Sequence, residues 1–176
     1  MRKNALILVI LALLIVEVVV LMISGCGGKR FIPVVGKVSN TFGSNLGRDI
    51  DMDGDNDSAV VLSNIAGSNS NIGPSMAIDG NGKIYVMGRG SNGSNTDVYV
   101  IRLNSDGSID SDFGNSLGRD IDKDGNTDAG VILNNIASGN SDDNGYSIAL
   151  DKNGKVYVTG SSSNGSNDDV FVIKIE

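Results

Sequence analysis

Histidine and tryptophan are absent from this 176-residue chain, cysteine occurs once and proline twice, and the only glutamates are Glu17 and Glu176. Without imidazole there is no Ser-His-Asp or Cys-His arrangement and no histidine ligand for a catalytic zinc. With a single thiol, Cys26, no internal disulfide can form. The adjacent carboxylates Asp142 with Asp143 and Asp168 with Asp169 remain available for glycosidic acid–base chemistry, but both pairs flank turn residues and read as solvent-facing caps. GRGSNGSN (residues 88–95) is glycine-rich yet lacks the Lys-Ser/Thr end and the following helix of a phosphate loop. A net charge of −7 sets the chain against nucleic acid. These absences together read as a protein without catalytic machinery.

Long apolar runs are missing too, except at the start. MRKN supplies a basic end, ALILVILALLIVEVVVLM an apolar stretch, and Ile23, Ser24 and Gly25 lead with small or apolar residues into Cys26. This pattern resembles a bacterial lipoprotein signal, covering residues 1–25, followed by a tether over residues 26–33. The resemblance implies cleavage after Gly25, diacylation of Cys26, and a membrane-anchored lipoprotein of the cell envelope facing the periplasm or the extracellular space. Glu17 interrupts the run, and a carboxylate at the bilayer centre costs a few kcal/mol, which opposes a permanent span more than a transient signal. The alternative is an uncleaved anchor helix with Arg2 and Lys3 held in the cytoplasm.

What is abundant is aspartate, and it is concentrated. DIDMDGDND (49–57) and DIDKDGNTD (120–128) carry nine of the 21 acidic residues. Asp49, Asp51, Asp53, Asp55 and Asp57, and likewise Asp120, Asp122, Asp124, Asn126 and Asp128, fall at loop positions 1, 3, 5, 7 and 9, with Gly54 or Gly125 at position 6. Oxygen ligands at this spacing around a sharp glycine turn suit a hard cation, and Ca2+ better than Mg2+, which keeps its own waters. A helical calcium hand needs a glutamate at position 12, where this chain has Val60 and Val131, so each loop is expected to lead into a strand. Such loops resemble those between the strands of integrin-type and FG-GAP propeller repeats. That resemblance implies a backbone carbonyl as the seventh-position ligand and Asp57 or Asp128 as the ninth.

The loops sit inside a duplication. FGSNLGRDIDMDGDND aligns with FGNSLGRDIDKDGNTD, SMAIDGNGKIYVMG with SIALDKNGKVYVTG, and SNGSNTDVYVIRL with SNGSNDDVFVIKI, at an offset of 71 residues up to Ser70 and 72 thereafter. One structural unit is used twice, over residues 34–114 and 115–176. Each unit reads as β. Strands on either side of Gly80, Asn81 and Gly82 form a hairpin that Asp151 to Gly154 repeats, and Tyr99, Ile101 and Leu103 alternate onto one face like Phe171, Ile173 and Ile175. Glycine, asparagine, serine and aspartate break every apolar run past the leader before it completes two helical turns.

AIDGNGKIYVMG through IRLNSDGSIDSDFG resembles the delta-60 repeat of bacterial surface proteins, and NGYSIALDKNGKVYVTGSSSNGSNDDVFVIKI resembles the SBBP-type β-propeller repeat. The shared marks are the Asp-x-x-Gly-Lys-Ile/Val-Tyr-Val hairpin and a later glycine, Gly88 or Gly160. The resemblance implies an all-β chain of two propeller-blade-like repeats, a partial β-propeller, and no particular activity; a two-unit β-sandwich is the competing architecture. Propellers usually close with at least four blades, so the expected partner is a further copy of the chain, with residues 36–43 of one copy beside residues 170–176 of the next. A truncated piece of a longer array is the other reading. The functional expectation is an exported, lipid-anchored, calcium-binding surface module for a glycan or protein ligand, or else a structural envelope lipoprotein. Tyr85, Tyr99, Tyr146, Tyr157 and Phe171 stand mostly at strand positions, where packing accounts for them better than a sugar platform.

Overall fold

The computed structural model describes residues 36–176 apart from 69, 138 and 139. The expected leader or anchor segment, Cys26 and the tether lie outside the described residues, among which no helix is long and apolar enough to cross a membrane. The architecture is all-β. Among the described residues ten strands follow in order: β1 (Ser44–Asn45), β2 (Ser58–Ala59), β3 (Asn71–Ile78), β4 (Ile84–Ser91), β5 (Thr96–Leu103), β6 (Asn115–Ser116), β7 (Ala129–Leu133), β8 (Asp143–Leu150), β9 (Val156–Ser163) and β10 (Asp168–Ile175). All pairings are antiparallel and make a five-stranded sheet β3-β4-β5-β7-β6, a three-stranded sheet β10-β9-β8, and the small ladder β1-β2.

The hairpin mark has a physical cause. In β3–β4 the Asp79 carboxylate accepts the backbone N–H groups of Asn81 and Lys83 at 2.9 Å, and Asp151 does the same for Asn153 and Lys155 at 2.8 and 2.9 Å. Gly82 and Gly154 take the left-handed backbone the turn requires, with φ of 79° and 77°. The later glycine answers a different demand. A bulge in β3 between Ile72 and Ser75, matched in β8 between Gly145 and Ser147, drives a carbonyl towards the neighbouring strand. A Cβ on Gly88 would stand 1.9 Å from the Ile72 oxygen, and one on Gly160 1.9 Å from the Asn144 oxygen.

The larger core lies between the two sheets. Met87, Val98 and Val100 on the first sheet meet Ile148, Val158 and Phe171 on the second, each such side chain contributing about 1.5–3 kcal/mol on burial. Strand β8 packs against β3, β4 and β5. It comes close because Gly145 has no side chain: a Cβ there would lie 2.3 Å from the Met87 sulfur and 3.0 Å from a Val98 methyl. On the opposite face of the first sheet, Tyr99, Ile101 and Leu103 are buried together with Ile65 and Ile121. The alternation expected at 99, 101 and 103 is therefore present, and β5 is buried on both faces.

Strand phase and sequence phase differ. Strands β6 and β7 lie past residue 114 but are hydrogen-bonded into the sheet of the first unit, through Val98↔Leu133, Tyr99↔Ile132 and Val100↔Val131. GVIL thus becomes a full strand. AVVL does not: β2 ends at Ala59, and Val60 to Leu62 have no strand partner among the described residues.

A buried ion cluster clips the first sheet to the turn that follows it. The Asp110 carboxylate, only 5% exposed, accepts from Lys83 Nζ at 2.6 Å and Arg102 Nε at 2.8 Å, and the Arg102 guanidinium lies 4.9 Å from the Phe113 ring centre. Burial alone would raise the Asp110 pKa, but the two cations outweigh it and hold the carboxyl down at about 2. A depressed carboxylate supports folding above its unfolded range near pH 4. That support disappears as pH falls towards 2. Asp110→Asn is expected to cost on the order of 2 kcal/mol at pH 7 and to flatten stability between about pH 4 and pH 2, as measured by urea unfolding across pH. An unchanged acid limb would show that Asp110 is not the clip.

Candidate functional site

The two aspartate loops adopt the same backbone. Position 4 is left-handed in both, Met52 at φ 63° and Lys123 at φ 65°, and position 6 is Gly54 at 100° and Gly125 at 96°. A left-handed non-glycine residue costs about 1 kcal/mol or more, so something else must hold the turn. The carboxylates do so. Asp49 accepts the N–H of Gly54 at 2.8 Å, Asp120 that of Gly125 at 2.9 Å, and the position-9 carboxylates Asp57 and Asp128 each accept the N–H of position 2, Ile50 or Ile121, at 2.6 Å. Asp51, Asp53, Asp122 and Asp124 each accept the N–H two residues on. The sequence spacing thus shapes the loop even before any ion is considered.

Ligand atoms converge differently in the two loops. In the first, oxygens of Asp49, Asp51 and Asp53 lie within 4.8 Å of one another; in the second, oxygens of Asp120, Asp122 and Asp128 do. Two oxygens on one Ca2+ stand at most about 5 Å apart, since each bond is roughly 2.3–2.6 Å, so both triads fit that ion. Asp55 and Asp57 stand outside the first triad and Asp124 outside the second, and the Asn126 side-chain amide donates to Asp124 at 3.0 Å. Asp57 is nonetheless fully buried, and its Oδ1 has no hydrogen-bond partner.

The first loop already carries a cation of its own. Lys37 Nζ sits 2.8 Å from Asp53 and 3.0 Å from Asp55, and those carboxylates raise the Lys37 pKa further above its ordinary value. The second loop has Ser108 at the place equivalent to Lys37. Among the described residues no lysine or arginine pairs with Asp120, Asp122 or Asp128. Burial first, and then the charges of Asp128, Asp124 and Asp120, push the Asp122 carboxyl above its usual range. The second loop is also better rooted. Ile121 is fully buried against the first sheet and its carbonyl accepts from Ser63 N at 2.8 Å, whereas Ile50 of the first loop is half exposed. Lys37 and the two isoleucines were invisible as discriminators in the loop motif itself, because what separates them is placement.

A second acidic feature lies where the sheets meet. Asp97 on β5 and Asp143 at the start of β8 are buried, and Asp97 Oδ1 and Asp143 Oδ2 have no hydrogen-bond partners. Burial above all, then the charge of Asp143, raises the Asp97 pKa, against a 2.9 Å hydrogen bond from Asn92. Asp142 instead accepts the N–H of Thr96, 46 residues away on β5, at 2.8 Å, and Asp169 accepts from Asn164 and Asn167 of its own turn at 2.9 and 3.0 Å; the solvent-facing cap read from the sequence thus fits Asp169 and not Asp143, which the packing of the two sheets buries. Beside this junction is a polar cleft of about 360 Å³, lined by Asn95, Ser141, Asp142, Asn144 and Asp168 among others.

Two repeat families match the chain. A β-propeller domain of unknown function (DUF5122) matches residues 80–113, and the SBBP β-propeller repeat matches residues 133–167. The two matches support β-propeller repeat sequence of the SBBP type in this chain. The first match takes in β4 and β5 and runs to Phe113; the second covers β8 and β9, so the two cover overlapping but shifted windows of one repeated unit. No curated protein and no solved structure matches.

The raised Asp97 pKa has a testable sign. A carboxyl whose folded pKa is raised supports folding below its unfolded pKa, and that support is lost as pH rises through the folded value. Asp97→Asn keeps an acceptor for Asn92 and removes the ionisation that burial opposes, so the thermal midpoint above the carboxyl's folded range should rise. A clear fall would mean that Asp97 and Asp143 together hold a cation between the sheets.

Proposed function

We propose that this protein is a non-catalytic, calcium-rigidified β-propeller repeat module, displayed at the cell envelope through a lipidated Cys26. The observation that carries the calcium reading is the second loop, where three carboxylates converge, one of them buried, with no lysine or arginine paired to them among the described residues. Asp120, Asp122 and Asp128 would hold the ion, which supplies the positive charge that offsets their mutual repulsion. Because Ile121 roots that loop in the core of the first sheet, its binding energy becomes folding energy. The first loop is the weaker site, since an incoming ion must displace Lys37 from Asp53 and Asp55. A chain with a single thiol has no disulfide to stabilise it outside the cytoplasm, and a metal staple serves that purpose.

Display rests on the leader and on Cys26, whose setting resembles a lipoprotein signal. The polar cleft at the sheet junction, rich in amide, hydroxyl and carboxylate groups, supports a role in binding a glycan or protein. Most of the tyrosines do not serve it: Tyr85 and Tyr99 are buried in the packing, Tyr157 is partly so, and Tyr146 is exposed.

In calorimetry, calcium at a hundredfold excess over its dissociation constant should add about 2.7 kcal/mol, which is roughly 5–10 °C in melting temperature for a domain of this size. Asp122→Ala should remove most of that gain and Asp53→Ala the smaller part. Equal melting in calcium and in chelator would end the calcium reading. For the anchor, the wild-type chain should incorporate labelled fatty acid and partition into detergent, and Cys26→Ser should stay unlabelled and unprocessed. Labelling that survives Cys26→Ser would point to the uncleaved anchor instead.

A further inference from the structure

The repeat places the same side chains in two environments. On the first sheet Val98 and Val100 are 0% exposed beneath β8, while their counterparts on the second sheet, Val170 and Val172, are 83% and 70% exposed. The other half of the interface shows the reverse. Ile148 on β8 is 7% exposed against the first sheet, and its counterpart Met76 on β3 is 57% exposed, with Ile78 beside it at 58%. One end of the molecule therefore presents the face that a following sheet covers inside the chain, and the other end presents the face that a preceding sheet covers.

Strand edges tell the same story independently. β5 is bounded by β7 on its outer side, but β10, its counterpart, is an edge strand with no outer neighbour among the described residues. Val60 to Leu62, the counterparts of Val131 to Leu133 in β7, have no strand partner among the described residues, and Val61 is 62% exposed. The missing half of each is the other.

We infer that this chain assembles head to tail with further copies of itself. β10 of one copy adds to residues 60–62 of the next, and Val170 and Val172 cover Met76 and Ile78. Transferring the internal register Val98↔Leu133, Tyr99↔Ile132 and Val100↔Val131 by the repeat offset gives Val170↔Leu62, Phe171↔Val61 and Val172↔Val60 between copies. Within one chain the two surfaces cannot meet. The second sheet lies on the Met87–Val98–Val100 face of the first sheet, whereas Val60, Leu62 and Ile65 lie against its Tyr99–Ile101–Leu103 face. The contact is heterologous, so the copies must close into a ring if they are not to form a filament, and two or three copies supply the four or six blades at which propellers close. An unpaired β edge beside exposed valines supplies the hydrogen bonds and the apolar area for this pairing. The inference depends neither on calcium nor on lipid.

The test uses the full chain in mild detergent, with protein mass from light scattering. A mass of two or three chains is expected, and Val170→Asp with Val172→Asp should reduce it to one without altering the circular dichroism, because both positions are exposed in the single chain. In a Cys26→Ser background, a Leu62→Cys chain mixed with a Val170→Cys chain should cross-link on oxidation, and neither should do so alone. Val61→Cys, whose side chain lies on the opposite sheet face, should cross-link poorly with Val170→Cys. A monomeric wild type, an oligomer that survives the double aspartate variant, or self-cross-linking of Val170→Cys overturns the inference.

Discussion

The burial of one sheet face by the next organises this molecule. Met87, Val98 and Val100 lose their water to Ile148, Val158 and Phe171, and that exchange requires β8 to approach closely enough for Gly145 to sit against the Met87 sulfur. The bulges beside Ile72 and Gly145, and the glycines 88 and 160 that accommodate them, follow from the same demand. A sheet with two apolar faces is stable only between two neighbours. Among the described residues the first sheet has such neighbours on both faces, and the second has one.

The loops join that packing at one point. Ile121 carries the second aspartate loop into the core beneath β5 and so ties the carboxylates at its rim to the packed interior. The first loop has the same backbone and most of the same internal hydrogen bonds but rests on Lys37, with Ile50 half exposed. Near-identical motifs are thereby differentiated by what lies next to them. The same holds for the acidic residues outside the loops: Asp110 is buried with two cations and stays ionised, while Asp97, buried near Asp143, is pushed towards its neutral form.

Much was legible from residues alone, because local chemistry decided it. The all-β character follows from apolar runs cut short by glycine, asparagine and aspartate, and the hairpins from an aspartate whose carboxylate can reach two N–H groups of its own turn. The alternation of Tyr99, Ile101 and Leu103 marks a pleated strand with one face inward, and the spacing of the aspartates marks a cradle. The duplication made the second copy of each element predictable from the first.

Tertiary structure alone decided which neighbour each copy has. GVIL became β7 because β5 lay within reach, and the homologous AVVL remained largely unpaired because no described strand bounds it. Valines at corresponding positions of the repeat are buried at 98 and 100 and exposed at 170 and 172 for the same reason. Local pattern is carried by side chains a few residues apart, and the sequence therefore determined which faces are apolar. Whether such a face is covered depends on backbone that may be any distance away in the chain or in another chain, and only the folded arrangement shows it.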